Sequence, residues 1–417
     1  MTNPRVDLWS LPEDKIYVVL EYDVKCKLFA SALKYSRRWS EFAISLGLPL
    51  NKWKASKTLE SSRTKKISLR VLKLLLEYLE RNGECIDRKL IERSVRALTS
   101  KRGSSHPGAN CLFNPNLPFN FDTEAGAVVI SALLHDGGIN NRYHPHYSNL
   151  NVVLKRKVYN AFKEVFGGFD FKRADPEKCV QIYFPKSVGY ILIHGFGMEK
   201  GRKVVNNPGI PRFVFNSSKE VRSAFLRQAF DDEAYVSKIG SSNRVISLKL
   251  ASASPNPPKL LLDLQQLLLT FSIFSYGPRL SERYTSKDGV NATKWTIDIL
   301  HQDNLIRFRN EIGFESTQKQ ERLERLVSSL KQEHFAKANK PAILIRACSR
   351  IQEEKGYITS ASLGAVLNRS QALAKIEIRH LRRSGVLTAS KERNGNKAAE
   401  YVITNDSGKG NVIGSAV

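Results

Sequence analysis

The sequence predicts an α+β protein in three parts: a helical N-terminal region, a central pseudo-twofold pair of helix-and-strand repeats, and a C-terminal set of helices closed by a hairpin. Three observations lead there. An apolar helix ending in a carboxylate occurs twice in the centre, at Asp136 and at Glu233, and similar strands and helices follow each. Asn394-Gly395 separates two alternating segments behind three helical stretches, the strongest short-range hairpin signal. Between Lys101 and Phe121 the chain is dense in Gly, Pro, Ser and Asn and loses periodicity, as a linker does.

The chain has 417 residues, 41% hydrophobic and 9% aromatic, enough for two or three packed domains and unlike a disordered or low-complexity sequence. No run of eighteen apolar residues is present, which excludes a spanning helix. The opening residues MTNPRVDLWSLPEDK lack a basic start followed by an apolar core, so no secretory signal is expected and the protein reads as cytoplasmic. Sixty-six Lys and Arg against forty Asp and Glu give a net charge of +26. A chain that basic repels itself unless a polyanion shares its surface, so nucleic acid is the expected partner. No basic amphipathic helix with an apolar anchor points to a membrane. The five cysteines are scattered singly and odd in number, which argues against a disulfide framework or a zinc finger.

Residues 13–100 read as mostly helical. Arg38–Leu46 has apolar residues at helical spacing and stops at Gly47; a second short helix carries Lys52, Trp53 and Lys54; Ile67–Leu79 is strongly periodic. Helix, turn and basic helix are the parts of a helix-turn-helix DNA reader.

In the centre, helix Glu124–His135 ends at Asp136-Gly137-Gly138. A second helix opens with a capping box, Ser217-x-x-Glu220, and ends at Asp231-Asp232-Glu233. Amphipathic helices follow at Val158–Phe166 and Leu260–Ile273, strands at Val180–Phe184 and Trp295–Leu300, and closing helices at Ile191–Gly197 and Leu305–Phe314. Beyond residue 336 come helices at Lys340–Lys355, at Ser360–Leu367 with Ser360 as cap, and at Ser370–Ser384, then the hairpin: the parts of a winged helix. Arg369, Gln371, Lys375 and Arg379 line one face of its third helix, placed to reach base edges, and Lys391, Arg393 and Lys397 lie in the wing, placed to hold phosphates.

The expected domains are therefore 1–100, a linker at 101–121, a central domain at 122–328 with repeats at about 122–215 and 216–328, a winged helix at 336–405 and a tail from 406. If the two central helices pack side by side, each delivers a carboxylate to one spot. Carboxylates that close repel, and a divalent cation resolves the repulsion. Oxygen-only ligands suit Mg²⁺, which activates water and stabilises the leaving oxygen in phosphodiester cleavage. His144-Pro-His146 is expected in a connecting loop rather than as a metal pair, and no Gly-rich phosphate loop occurs.

On LLHDGG, FLRQAFDDEA, the order of elements after each, and the lead-ins NPNLPFNFDTEAG and IPRF, residues 122–328 resemble the LAGLIDADG (dodecapeptide) homing endonucleases, archaeal members in particular. The resemblance implies an αββαββα repeat whose antiparallel strands form a saddle in the DNA major groove, with the motif helices meeting at a pseudo-twofold axis. It implies a metal-dependent double-strand cut by a single-chain monomer, with Asp136 and Glu233 at the two metal positions. Lys157, or its neighbour Arg156, aligns with a strand-end basic residue that orders the hydrolytic water. Ser131 and Gln228 depart from the glycine at which the family's helices approach closest, and Ala234-Tyr235 replaces the usual Gly-Ser. Gln228 requires the helices to splay or supply a partner for its amide. Three readings result: a Mg²⁺-dependent site-specific endonuclease, a non-catalytic DNA-binding transcriptional regulator derived from one, and a maturase acting on intron RNA. The nucleoid of an archaeal-type cell is the expected location.

Overall fold

A computed structural model describes residues 3–36, 39–45, 66–100, 111–170, 172–238, 244–286, 289–328, 340–367, 369–391 and 398–404. The described part of the N-terminal region is mostly helical, with a small sheet that the sequence does not announce. It runs β1 (Arg5–Val6), β2 (Ile16–Leu20), α1 (Tyr22–Tyr35), α2 (Trp39–Ser45), β3 (Ile67–Ser68), α3 (Leu69–Arg81), α4 (Arg88–Arg93), β4 (Val95–Ser100) and β5 (Leu112–Phe113). The last four strands form an antiparallel sheet in the order β3-β2-β4-β5. Short apolar runs such as Ile16–Leu20 suit a buried strand as well as a helix, and their β-branched residues and pairing partners decide for the strand. Ser68 ends β3 and caps α3, accepting from the Val71 amide at 3.2 Å. Helix α3 then buries Leu69, Leu72, Leu75, Leu76 and Leu79 at helical spacing. Lys52, Trp53 and Lys54 lie outside the described residues.

Residues 111–121, expected in a linker, join what they separate. Leu112–Phe113 pairs with β4, and β6 (Phe119–Asn120) pairs with β1. One hydrophobic core accordingly runs from Val6 in the N-terminal unit to Val327 at the end of the second repeat.

The first repeat comprises α5 (Glu124–Leu134), β7 (Gly137–Ile139), β8 (Pro145–Ser148), α6 (Val152–Phe166), β9 (Gln181–Tyr183) and α7 (Lys186–Tyr190), which continues as a π-helical turn over Ile191–Gly195. Two short helices, α8 (Lys203–Asn206) and α9 (Arg212–Asn216), lead to the second repeat. That repeat is complete: α10 (Lys219–Glu233), β10 (Ala234–Val236), β11 (Ile246–Ser252), α11 (Lys259–Leu269), β12 (Ser275–Thr285), β13 (Asn291–Ile299) and α12 (Gln302–Glu311). Helix α10 is capped by Ser218, one residue beyond the expected Ser217, whose hydroxyl turns back to the Phe213 carbonyl at 2.9 Å. The two sheets are antiparallel, β7-β8-β9 and β10-β11-β13-β12. The hairpin β12–β13 was seen in the sequence only as its last strand. Helix α13 (Thr317–Ser328) follows.

The C-terminal unit has α14 (Lys340–Lys355), α15 (Ser360–Leu367), α16 (Gln371–Arg383), and the hairpin β14 (Leu387–Lys391) with β15 (Glu400–Ile403). Thr359, not Ser360, caps α15, accepting from the Ser362 amide at 3.0 Å. The unit has its own core around Ile343, Ala347, Ile378 and Leu381, which takes in Phe274 of the second repeat. Arg350 and Arg307 tie it to that repeat, donating to the Leu269 carbonyl at 3.0 Å and the Val366 carbonyl at 2.9 Å respectively.

Candidate active site

Helices α5 and α10 pack lengthwise against each other, and small side chains make this possible. Ser131 is fully buried at the crossing, and its hydroxyl donates to the Phe225 carbonyl of the other helix at 2.8 Å. Helix α5 ends two residues before β7, and α10 runs directly into β10. A Cβ at Gly137 would lie 2.6 Å from the His146 carbonyl oxygen, so only glycine lets the chain leave α5 straight into β7.

Asp136, just past α5, and Asp232 and Glu233, ending α10, are brought into mutual electrostatic contact. Burial raises the Asp136 carboxyl above its ordinary value, opposed by a 2.8 Å hydrogen bond from the Asn149 amide and by two lysines. Burial, with Asp136 beside it, pushes Glu233 up to about 7. Asp232 is pushed well above the carboxylate range, first by burial and then by Asp136.

The cations at this spot are Lys203 and Lys319. Lys203 opens α8 and donates to the Gly137 carbonyl at 2.9 Å and to the His135 carbonyl, the two flanking Asp136. Lys319, in the first turn of α13, donates to the Phe230 carbonyl at 3.2 Å and to that of Asp231. Burial lowers both ammonium groups below their ordinary value, and Asp136, Asp232 and Glu233 hold them up. Asp231 positions Lys319: its carboxylate accepts from the Glu315 and Ser316 amides at 2.9 and 3.1 Å, capping the start of α13.

Lys157 is not at this spot. Its ammonium pairs with Glu315 at 3.3 Å, and Arg156 pairs with exposed Glu177. Both side chains point off α6 toward neighbouring acids, whereas Lys203 and Lys319 come from the helical turn that follows each repeat. Each of these lysines stands a few residues beyond a Gly-Phe pair, a spacing too common to mark them in the sequence.

The Gln228 side chain finds partners for its amide nitrogen, while its Oε1 stays buried without one. Its amide donates to Asp232 Oδ1 at 2.9 Å and to the Tyr147 hydroxyl at 3.2 Å, while that hydroxyl donates to the same Asp232 oxygen at 2.5 Å. Tyr147 comes from β8, so the network joins the two halves. Across the axis His135 holds the place matching Asp232; its Nδ1 lies 2.7 Å from the Ser131 carbonyl, and burial drives it down to about 3, neutral near pH 7. The His144 ring lies 3.2 Å from the Phe184 carbonyl, and His146 packs against the Tyr183 ring.

A cleft of about 460 Å³ opens on this spot, lined by His135, Lys203 and Glu233 and by Lys249 and Lys294 of the second sheet. Among the described residues no three acidic, His or Cys side chains surround one point as a ready cation cage. The donor set still fits Mg²⁺, which is commonly held by one or two carboxylates together with substrate phosphates. Asp136 and Glu233 are such a pair, and Asp232 Oδ2 beside them is buried without a partner.

In the C-terminal unit Arg369 is withdrawn from any ligand: its side chain is 10% exposed and pairs with Asp303 of α12 at 3.0 Å. Gln371 donates to the Ser360 hydroxyl at 3.2 Å, Lys391 pairs with Glu400 at 3.2 Å, and Lys375 and Arg379 are exposed. Arg393 and Lys397 lie outside the described residues.

Residues 220–313 match the LAGLIDADG-like domain family, which is the second repeat from the first turn of α10 to the end of α12. The chain is also similar to the ribonucleoside-diphosphate reductase NrdEB subunit alpha of Bacillus subtilis (strain 168) and to that of Bacillus phage SPbeta, 27% identical over 146 residues in each case. The shared stretch is 34% of this chain and 13% of either relative.

Proposed function

We propose that this protein is a site-specific DNA endonuclease of the LAGLIDADG type, a Mg²⁺-dependent homing endonuclease that makes a double-strand break in a long target. One observation carries the reading: a carboxylate from each of two side-by-side helices reaches a common spot beside a half-buried lysine from each half. The match of residues 220–313 to a LAGLIDADG-like domain supports it. So does a net charge of +26, which favours a polyanionic partner. The reductase resemblance spans too little of those relatives to transfer their activity.

Asp136 and Glu233 would hold the cation, which supplies Lewis-acid stabilisation of the phosphate and of the departing oxygen. Asn149 holds Asp136 in place through its 2.8 Å hydrogen bond. Lys203 and Lys319 bring positive charge to where the phosphodiester's negative charge grows. The Asp232–Tyr147–Gln228 network fixes the end of α10, so Glu233 faces Asp136 with little freedom. The flanking units, read as a helix-turn-helix at 1–100 and a winged helix at 336–405, would lengthen the contact with DNA.

The rival reading is a DNA-binding regulator without cleavage. It is favoured by Gln228 at the helix crossing and by the hold of Lys203 on both carbonyls beside Asp136. A cleavage assay on a randomised duplex library with Mg²⁺ separates the two. Cuts at a defined site, lost in Asp136→Asn and in Glu233→Gln, are the expected result. Selective binding without cutting, unchanged in both variants, would overturn the endonuclease.

A further inference from the structure

We infer that the two halves divide recognition of duplex DNA unequally: the second half reads base edges with its sheet, and the first half grips the sugar–phosphate backbone with cations set around its sheet. The inference rests on the DNA-binding reading above and goes beyond it in assigning which half carries sequence preference.

The second-half sheet has strands of seven, eleven and nine residues in β11, β12 and β13. At about 3.3 Å per residue β12 spans roughly 36 Å, close to one turn of duplex. The register puts Ser247, Lys249, Arg279, Glu282, Lys294 and Asp298 on one face, away from the core side occupied by Leu248 and Ile297. That face offers donors and acceptors in a fixed array. Exposed Arg279 is held by a 2.8 Å bond to buried Asp298, and Lys294 pairs with exposed Glu282 at 2.9 Å. Base edges in the major groove are told apart by such oriented donor and acceptor patterns.

The first-half sheet offers a far smaller and uncharged face. Its strands have three, four and three residues, and their sequences GGI, PHYS and QIY hold no Asp, Glu, Lys or Arg. Its outer face presents Gly138, His146, Ser148, Gln181 and Tyr183, a small neutral patch in which the Tyr183 hydroxyl already donates to Gln181 Oε1 at 2.7 Å. The cations stand in the segments around it, Lys186 at the start of α7. Arg142, Arg173 and Lys186 all bear on His144; Arg173 lies 5.8 Å from the Tyr183 ring and Lys200 lies 4.5 Å from the Tyr143 ring. Phosphate contacts require charge and reach rather than an oriented array, and they carry little sequence information.

The test is selection of bound duplexes from a randomised library by the full-length protein, by Arg279→Lys and Arg279→Ala, and by the double variant Lys186→Ala/Lys200→Ala. The wild-type profile should show base preferences concentrated on one side of its centre. Both Arg279 variants should relax preference at one or two positions on that side by about 5- to 150-fold, while Arg279→Lys keeps its affinity for unrelated duplexes. The lysine double variant should weaken binding to selected and unrelated duplexes alike and lower the salt slope by about 1.8, with preferences unchanged. Preferences spread evenly about the centre, or a lysine variant that changes the preferred bases, would overturn the division of labour. Binding to no duplex at all would overturn the DNA reading itself, a result distinct from even preference.

Discussion

The ends of α5 and α10 meet the same requirement by opposite means. Each carries a polar pair one turn apart at the crossing, Ser131 with His135 on α5 and Gln228 with Asp232 on α10, followed by the carboxylates Asp136 and Glu233. On α5 the polar side chain is small and satisfies itself on the other helix's backbone, at Phe225. On α10 it is long, and its amide is absorbed by a carboxyl and by a tyrosine from the opposite half. Close approach therefore tolerates a glutamine when the neighbouring half supplies a buried partner. The α5 end is shaped by packing, and the α10 end by a hydrogen-bond network.

Four measurements sharpen or break this comparison. The largest effect is on cleavage. Asp136→Asn and Glu233→Gln should each abolish Mg²⁺-dependent cutting, and a variant that still cuts would mean the two ends are not chemically equivalent. Next, Tyr147→Phe removes a hydroxyl that donates to Asp232 and should destabilise the fold by about 1–3 kcal/mol in urea unfolding. A negligible change would show that the cross-half network is not what secures α10.

The third measurement concerns pH. The Glu233 carboxyl is raised to about 7, so the folded state binds more protons than the unfolded state between its ordinary value and there. Its stabilising share is complete below the ordinary value and is lost as pH rises through about 7. In metal-free buffer Glu233→Gln should therefore raise Tm by a few degrees above neutrality and leave it unchanged in acid. Added Mg²⁺ should narrow that gap in the wild type alone. The smallest effect is Ser131→Ala, which costs about 0.5–1.5 kcal/mol because one buried hydrogen bond is lost while the crossing keeps its shape.

The sequence made the motif helices legible because both of their ends are written locally, as an apolar run followed by carboxylates and a break. It left the N-terminal sheet unread, since strands such as Ile67–Ser68 and Leu112–Phe113 are two residues long and exist through partners elsewhere in the chain. The eleven-residue β12 was hidden for another reason. Charges at Arg279, Glu282 and Arg283 and a register shift near Gly277 interrupt its alternation. Asp136 and Glu233 could be named from spacing, but the lysines beside them could not. Lys203 and Lys319 become neighbours of the carboxylates only when the helical turn after each repeat folds back onto the motif helices. Arg369 misled because exposure, not residue type, decides whether an arginine is free to meet a ligand, and Asp303 claims it.

Helix α5 is buried on every side, from Ala125 to Leu134 without exception. Such a helix has no water-facing stripe, and one of its faces is completed only by α10, nearly a hundred residues later in the chain. During synthesis at about 5–20 residues per second, that face waits roughly 5–20 s for its cover. The N-terminal unit is made first and shares the same core, so a shelter for part of this helix leaves the ribosome before the helix does. The order in which the chain is written thus guards its most vulnerable element, and a fragment ending between the two repeats would expose that element indefinitely.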